Sequence, residues 1–402
     1  MKTEVFRSDM SEAAQIILNG GLVAVPTETV YGLAGNGLNE EAVKNIYEVK
    51  GRPSVKPLSL MVSEQEAMER LCLDVPRQAH ILAERYWPGP LTIVMKSREF
   101  IPPIVLAGGS TVGLRCPASE LTLELIRKAG VPLAAPSANP SGKASPKSAE
   151  AVMGYFNGLI DGIIDGGECT LGVESTLIDV SSKPYRILRR GALSEAEITD
   201  TLVDGMTIIG ITGQTGAGKT TALNVLRELG AEIIDCDSVY HDMLEQDTEF
   251  LSLLKEEFPT AFSGVKLNRK ELGNIAFSSE EKLRKLNNLT HSHIIEKVRT
   301  LLRAYAMNGC SLAAVDAVEL FSSGLSDMCS INVAVLSDEK NRVSRIMLRD
   351  SISEEYALKR VHAQKSEAYY IEHADFILEN NSDETSFKNA CKLKFMEVFP
   401  NG

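Results

Sequence analysis

The sequence predicts an α/β protein built in two parts, and three observations carry that reading. Apolar, strand-like runs alternate with segments of helical period along the first half, the pattern of a mixed α/β layer domain. In mid-chain, Thr207-Ile-Ile-Gly-Ile-Thr-Gly-Gln-Thr-Gly-Ala-Gly-Lys-Thr-Thr221 reads as a strand, a glycine loop and the start of a helix. Folds of that type usually begin at this strand, so what precedes it forms a separate unit, and 402 residues suit two or three domains.

In the first half, 22–25, 58–62, 91–95, 131–135 and 175–180 are rich in Val, Ile, Leu and Thr and read as strands. Segments near 9–19, 39–49, 63–71, 119–129 and 147–157 carry helical periodicity. Residues 192–206 read as one short helix and a turn at Gly205, with no Pro-rich or Gly/Ser-rich tether. The boundary is expected at about residue 204, giving domains 1–204 and 205–402. After the loop come a strand ending at Asp235, a helix-rich stretch, and strands near 311–315, 331–336 and 375–378.

The composition, 44% apolar and 24% charged, is that of a globular protein. No leader-like segment opens the chain and no apolar run approaches membrane-spanning length, so a cytoplasmic protein without membrane association is expected. Seven scattered cysteines contain no C-x-x-C pair, and His291 and His293 lack partners at metal-ligand spacing. Net charge is −12, and residues 1–205 hold 20 Lys+Arg against 25 Asp+Glu. Tight tRNA binding is therefore not expected.

Gly213 to Thr220 match G-x-x-x-x-G-K-[ST]. The backbone N–H groups of such a loop ring a phosphate at a helix N-terminus, where the dipole favours negative charge. Lys219 is placed to reach the β/γ oxygens of a nucleotide, and the Thr220 hydroxyl to hold Mg²⁺. Asp237 follows a strand end, where functional groups gather in open α/β sheets, and suits a general base; capping the helix from Ser238 is its plainer role. Arg342, Arg345 and Arg349 recur at i, i+3 and i+7, a stripe suited to closing over a transferred phosphoryl group.

The loop, Ile233-Ile-Asp-Cys-Asp237, Leu286-Asn-Asn-Leu-Thr-His291, Asp316-Ala-Val-Glu-Leu-Phe-Ser-Ser-Gly-Leu325, Ala363-Gln-Lys-Ser366 and Asn380-Asn381 together resemble dephospho-CoA kinases over about 206–396. The resemblance implies a P-loop fold with a parallel sheet and a helical lid, and Mg·ATP phosphorylation of the ribose 3′-hydroxyl of dephospho-CoA. It assigns Gly216, Ala217, Gly218, Lys219, Thr220 and Thr221 to ATP, Asp237 to the catalytic base, and 345–364, with Arg345 and Arg349, to the lid. Gln214, Ser292 and Ser322 replace a usual Gly, Pro and Glu; Glu319 lies one turn before Ser322 and substitutes for that Glu if the segment is helical.

In the first half, Lys50, Arg52, Lys56, Arg115 and Arg189 are cations set among small or apolar residues, and Ser137, Asn139, Ser145 and Ser175 add neutral donors. Such a set suits a polyphosphate and a carboxylate. No Ser/His/Asp or Cys/His constellation is visible, so catalysis would rest on positioning and charge stabilisation. The clusters Pro26-Thr-Glu-Thr29-Val-Tyr-Gly32, Lys50-Gly-Arg52, Thr111-Val-Gly-Leu-Arg115, Ala135-Pro-Ser137-Ala-Asn139 and Glu174-Ser175-Thr176 resemble the YrdC family of threonylcarbamoyl-AMP synthases over roughly 5–195. That resemblance implies a twisted mixed α/β domain making L-threonylcarbamoyladenylate and pyrophosphate from L-threonine, bicarbonate and ATP, the first step towards the t⁶A modification of tRNA.

It places Thr29, Arg115 and Ser175 on threonine, and Lys50, Arg52, Lys56, Thr111, Ser137, Asn139, Ser145 and Arg189 on ATP. The product would pass to a tRNA threonylcarbamoyltransferase complex, and no tightly bound organic cofactor is expected. Two other readings stay open: a synthase joined to a degenerate kinase half, prompted by Ser322, and an RNA-binding module joined to a nucleotide-sensing loop domain.

Overall fold

Helix ends in the first unit are written in local chemistry. Asn39 Oδ1 accepts the N–H groups of Glu41 and Ala42 at 3.0 and 3.1 Å, opening the helix Glu40–Lys50. Gly51 closes it in the left-handed conformation at φ 56°. The last helical residue is thus Lys50, with Arg52 just beyond. Ser194 and Glu197 form a capping box at the start of Glu195–Asp204. The computed structural model describes residues 2–399, and contacts divide these into two units, the first running to Gly205 and including Met307–Gly309, the second holding the rest.

The first unit holds one ten-stranded mixed sheet. Its strands are β1 (Glu4–Phe6), β2 (Val23–Val25), β3 (Gly32–Asn36), β4 (Ser59–Met61), β5 (Leu91–Lys96), β6 (Thr111–Arg115), β7 (Leu133–Ala134), β8 (Gly162–Ile164), β9 (Thr176–Asp179) and β10 (Arg186–Arg189). They lie in the order β1-β8-β2-β3-β7-β4-β6-β5-β9-β10. The helices Ser11–Leu18 and Glu120–Ala129 cover one face through Met10, Ile17, Leu125 and Ile126, packed on Val23, Val25 and Leu133. Alternating apolar residues on these helices form the stripe that this burial needs.

The second unit is an all-parallel sheet of β11 (Thr207–Gly213), β12 (Glu232–Asp235), β15 (Leu312–Asp316), β16 (Ile331–Leu336) and β17 (Phe376–Glu379), in the order β12-β15-β11-β16-β17. A small hairpin, β13 (Phe262–Ser263) with β14 (Lys266–Leu267), stands apart from it. The central strands are buried on both faces and read as nearly continuous apolar runs, as parallel sheets require. Helices Lys219–Glu228 and Glu384–Val398 seal one face through Leu223, Leu226, Phe387 and Phe395. Helices Glu339–Asp350 and Glu354–His362 pair through Val343, Ile346, Ala357 and Val361.

Candidate active sites

β11 runs straight into the glycine loop, and the following helix begins at Lys219. Gly216 and Gly218 have φ of 78° and 105°, left-handed conformations that a side chain resists. A Cβ on Gly216 would also stand 2.8 Å from the Arg342 carbonyl oxygen. Gln214 is buried and is not among the left-handed residues, so the loop accepts a side chain there without strain.

The outward carbonyls of the loop are pinned from several elements. Arg342 Nε donates to Thr215 O at 3.1 Å; Arg345 Nη1 donates to Gly216 O and Ala217 O at 3.2 and 3.3 Å. Asn380 Nδ2 donates to Ala217 O at 2.7 Å, and Gln364 grips both the N–H and the hydroxyl of Thr215. Carbonyls held this way fix the peptide planes of a phosphate-binding loop. The arginine stripe therefore divides: Arg342 and Arg345 brace the loop, whereas Arg349 pairs with Asp350 at 2.7 Å and stays exposed.

Carboxylates converge at the strand ends beside the loop. β12 and β15 pair Asp235 with Asp316, and Lys219 Nζ lies 2.6 Å from Asp316 Oδ1. Burial pushes the Asp316 carboxyl up, against the opposing pull of Lys219. Asp235 Oδ1 caps the helix Cys236–Gln246, accepting the Asp237 N–H at 3.0 Å. Capping thus falls to Asp235, and the Asp237 side chain is left exposed in the first turn of the helix. The sequence reading quoted Asp316 as the first residue of one kinase-like cluster but gave it no role of its own. At the departure around Ser322, the Ser323 N–H bonds Glu319 O at 2.9 Å, one helical turn, and Ser322 Oγ donates to the Glu319 carboxylate.

In the first unit, Thr29, Arg52, Lys56, Arg115, Ser137, Ser175 and Arg189 line a single cavity of about 650 Å³. Arg115 is 6% exposed; its Nη2 meets Glu28 Oε1 at 2.6 Å and its Nε donates to Gly89 O at 3.2 Å. Burial lowers its pKa and Glu28 opposes that. Arg189 donates from Nη2 to Ser175 Oγ at 2.9 Å and from Nη1 to Glu174 Oε2 at 2.6 Å. Ser175 Oγ lies 2.9 Å from Thr92 Oγ1. Arg52 donates to the carbonyls of Lys56 and Pro57, closing the turn that carries Lys56.

Three expected residues stand behind the lining or at its rim. Lys50 is buried and donates to the carbonyls of Ser137 and Asn139, shaping the 137–139 turn from beneath. Asn139 Oδ1 accepts from Ser137 Oγ at 2.6 Å. Ser145 Oγ donates to Glu174 Oε1 at 3.3 Å, at the rim. Thr111 starts β6 opposite Lys96, at the other end of the strand from Arg115, roughly 13 Å away at strand rise. Glu28 and Glu174, which hold the two arginines, carried no role in the sequence reading.

Burial, and then Arg52, lowers the Lys50 pKa from 10.5 to about 8. Above pH 8 the folded chain sheds a proton that the unfolded chain keeps to 10.5, so this group makes stability rise with pH across that window. The turn it braces loses its cation over the same range. Any activity of this unit that depends on that turn is expected to fall with an alkaline limb near pH 8, measured as a rate profile. The second unit's activity, assayed in the same protein, should lack that limb.

A glycine loop between a central parallel strand and a helix, with a lysine and carboxylates at the strand ends, defines the second unit as a P-loop nucleotide-dependent phosphotransferase. The family model described as dephospho-CoA kinase matches residues 207–386, and the Sua5/YciO/YrdC model, described as telomere recombination, matches 15–191. The chain belongs to the dephospho-CoA kinase family through its second half and carries a Sua5/YrdC-family domain in its first.

The dephospho-CoA kinase of Fusobacterium nucleatum is 32% identical over 182 residues, covering 44% of this chain and 90% of the relative. The threonylcarbamoyl-AMP synthase of Pyrococcus abyssi is 50% identical over 186 residues, covering 46% of this chain and 55% of the relative. The chain thus spans about half the length of the curated synthases it matches. Among solved structures, P. abyssi Sua5 complexed with L-threonine aligns at 29% identity and a TM-score of 0.49, covering 80% of this chain and 93% of that one. Among the described residues no helix is long and apolar enough to cross a membrane.

Proposed function

We propose that the chain is a bifunctional enzyme. Residues 1–204 form L-threonylcarbamoyladenylate and pyrophosphate from L-threonine, bicarbonate and ATP, and residues 205–402 transfer the γ-phosphoryl group of ATP to the 3′-hydroxyl of dephospho-CoA. The observation that carries the first activity is the single cavity lined by Thr29, Arg115 and Ser175 together with Arg52, Lys56, Ser137 and Arg189. In this reading Arg115, Thr29 and Ser175 hold the amino acid, and the remaining cations hold the triphosphate. Threonine and bicarbonate give a carbamate, which attacks the α-phosphorus as pyrophosphate leaves. With no nucleophile on the protein, the rate comes from alignment and charge stabilisation.

In the kinase half, Gly216 to Thr221 cradle ATP and Lys219 spans its β/γ oxygens. Asp237 accepts the proton of the attacking hydroxyl; Arg349 belongs to the lid, while Arg345, expected there as well, braces the loop carbonyls. The residues beside the loop fit Mg²⁺, since the Thr220 hydroxyl and the Asp316 carboxylate are hard oxygen donors; the ion would neutralise charge on the phosphates. The free thiols of all seven cysteines support a cytoplasmic setting. The adenylate is a mixed anhydride, which suits it to be consumed by a tRNA threonylcarbamoyltransferase complex. The test is a pair of assays on the full chain. Pyrophosphate release should require both threonine and bicarbonate, and ADP release should require dephospho-CoA. Pyrophosphate release indifferent to threonine would refute the first assignment.

A further inference from the structure

Among the described residues lining the cavity of the first unit, Glu174 is the sole acid, set against Arg52, Lys56, Arg115 and Arg189. Its carboxylate is not idle. Oε2 holds Arg189 at 2.6 Å and Oε1 accepts from Ser145 at 3.3 Å, so one side chain engages a cation that the proposed function gives to ATP and a hydroxyl that the family resemblance gives to it. Its backbone is fixed, because its carbonyl accepts the Ala192 N–H at 3.0 Å and Gly191 packs directly against it. The side chain is about 39% exposed and free to turn away. A carboxylate and a phosphate present the same acceptor to a guanidinium, and two anions cannot share it without repulsion.

We infer that Glu174 is an internal anion that competes with the triphosphate of ATP for Arg189 and Ser145, and that nucleotide binding displaces it. This rests on the synthase reading and adds to it a residue that sets nucleotide affinity. Displacement trades one charge-assisted pair for another, so part of the binding free energy is consumed in breaking the first. Removing the charge while keeping the shape should therefore tighten ATP and leave the affinity for threonine, which the synthase reading gives to Arg115, Thr29 and Ser175, unchanged.

The experiment is steady-state kinetics of Glu174→Gln in the full chain, followed by threonine-dependent pyrophosphate release, which reports this cavity and not the kinase loop. A partly exposed ion pair of this kind makes the expected fall in the KM for ATP about fivefold. The KM for threonine and the melting temperature should stay at the wild-type values. A KM for ATP that is unchanged overturns the proposal. A KM that rises, with a steeper Mg²⁺ requirement, also overturns it and makes Glu174 a ligand of the ATP-bound metal. Absence of threonine-dependent pyrophosphate release in the wild type would be a different result, removing the synthase reading and this inference together.

Discussion

Lys219→Ala is expected to lower dephospho-CoA-dependent ADP formation by about 10²–10³-fold, the usual cost of deleting one preorganised charge from a phosphoryl-transfer site. The lysine starts the helix after the loop, and its ammonium already sits at the strand ends, 2.6 Å from Asp316. Alanine keeps the helix and removes only the cation, so the loss should appear in kcat rather than in folding. Asp316, relieved of the lysine that holds its pKa down, should titrate higher still. Threonine-dependent pyrophosphate release by the same variant should match the wild type. Loss of both activities would mean that they share one nucleotide site.

Arg115→Ala is expected to abolish the synthase reaction and to cost about 3 kcal/mol in unfolding free energy, because it leaves the mostly buried Glu28 carboxylate without its cation. Both side chains are 10% exposed or less, and the pair tethers the segment before β3 to the end of β6. Glu28 also accepts the Ala118 N–H at 2.9 Å, a bond it keeps in the variant. Arg115→Ala combined with Glu28→Gln should recover part of the stability and none of the activity. Denaturant unfolding of the two variants checks the first statement, and pyrophosphate release the second. A variant as stable as the wild type would show that Glu28 does not need its cation.

The sequence disclosed elements where local chemistry was strong. β2, β4, β5, β7 and β9 fall within mainly apolar runs, and each of the main helices carries an apolar stripe. It hid β3 and β6, which contain Gly35 and Gly113. Those glycines are demanded by neighbours: a Cβ on Gly113 would stand 3.0 Å from Ser59 Oγ and 3.1 Å from Thr92 Cγ2. β1 buries only Phe6 and β8 opens on Gly162, so neither reads as an apolar run. The segment 63–71, read as a helix, is helical only from Ala67.

The sites divide along the same line. Lys219, Thr220 and Asp237 were legible because a motif or a strand end fixes them locally. Asp316, Glu28 and Glu174 were not, since each acts on a partner from a distant segment: Lys219, Arg115 and Arg189. Spacing alone put Arg342, Arg345 and Arg349 on one helical face. Only the packed structure shows the first two turned onto loop carbonyls, with Arg349 one turn further along and paired with Asp350. Gln364 and Asn380 stood within recognisable clusters, yet their grip on Thr215 and Ala217 belongs to the tertiary fold.

The central claim is that two separate chemistries reside in one chain, and product identification by mass spectrometry tests it most directly. The purified full chain is given Mg·ATP with threonine and bicarbonate, with dephospho-CoA, or with all three. The expected products are threonylcarbamoyladenylate with pyrophosphate in the first case and CoA with ADP in the second. In the third, both pairs should form at undiminished rates. Failure of either pair to form, or suppression of one reaction by the other's acceptor at saturating ATP, would contradict the account.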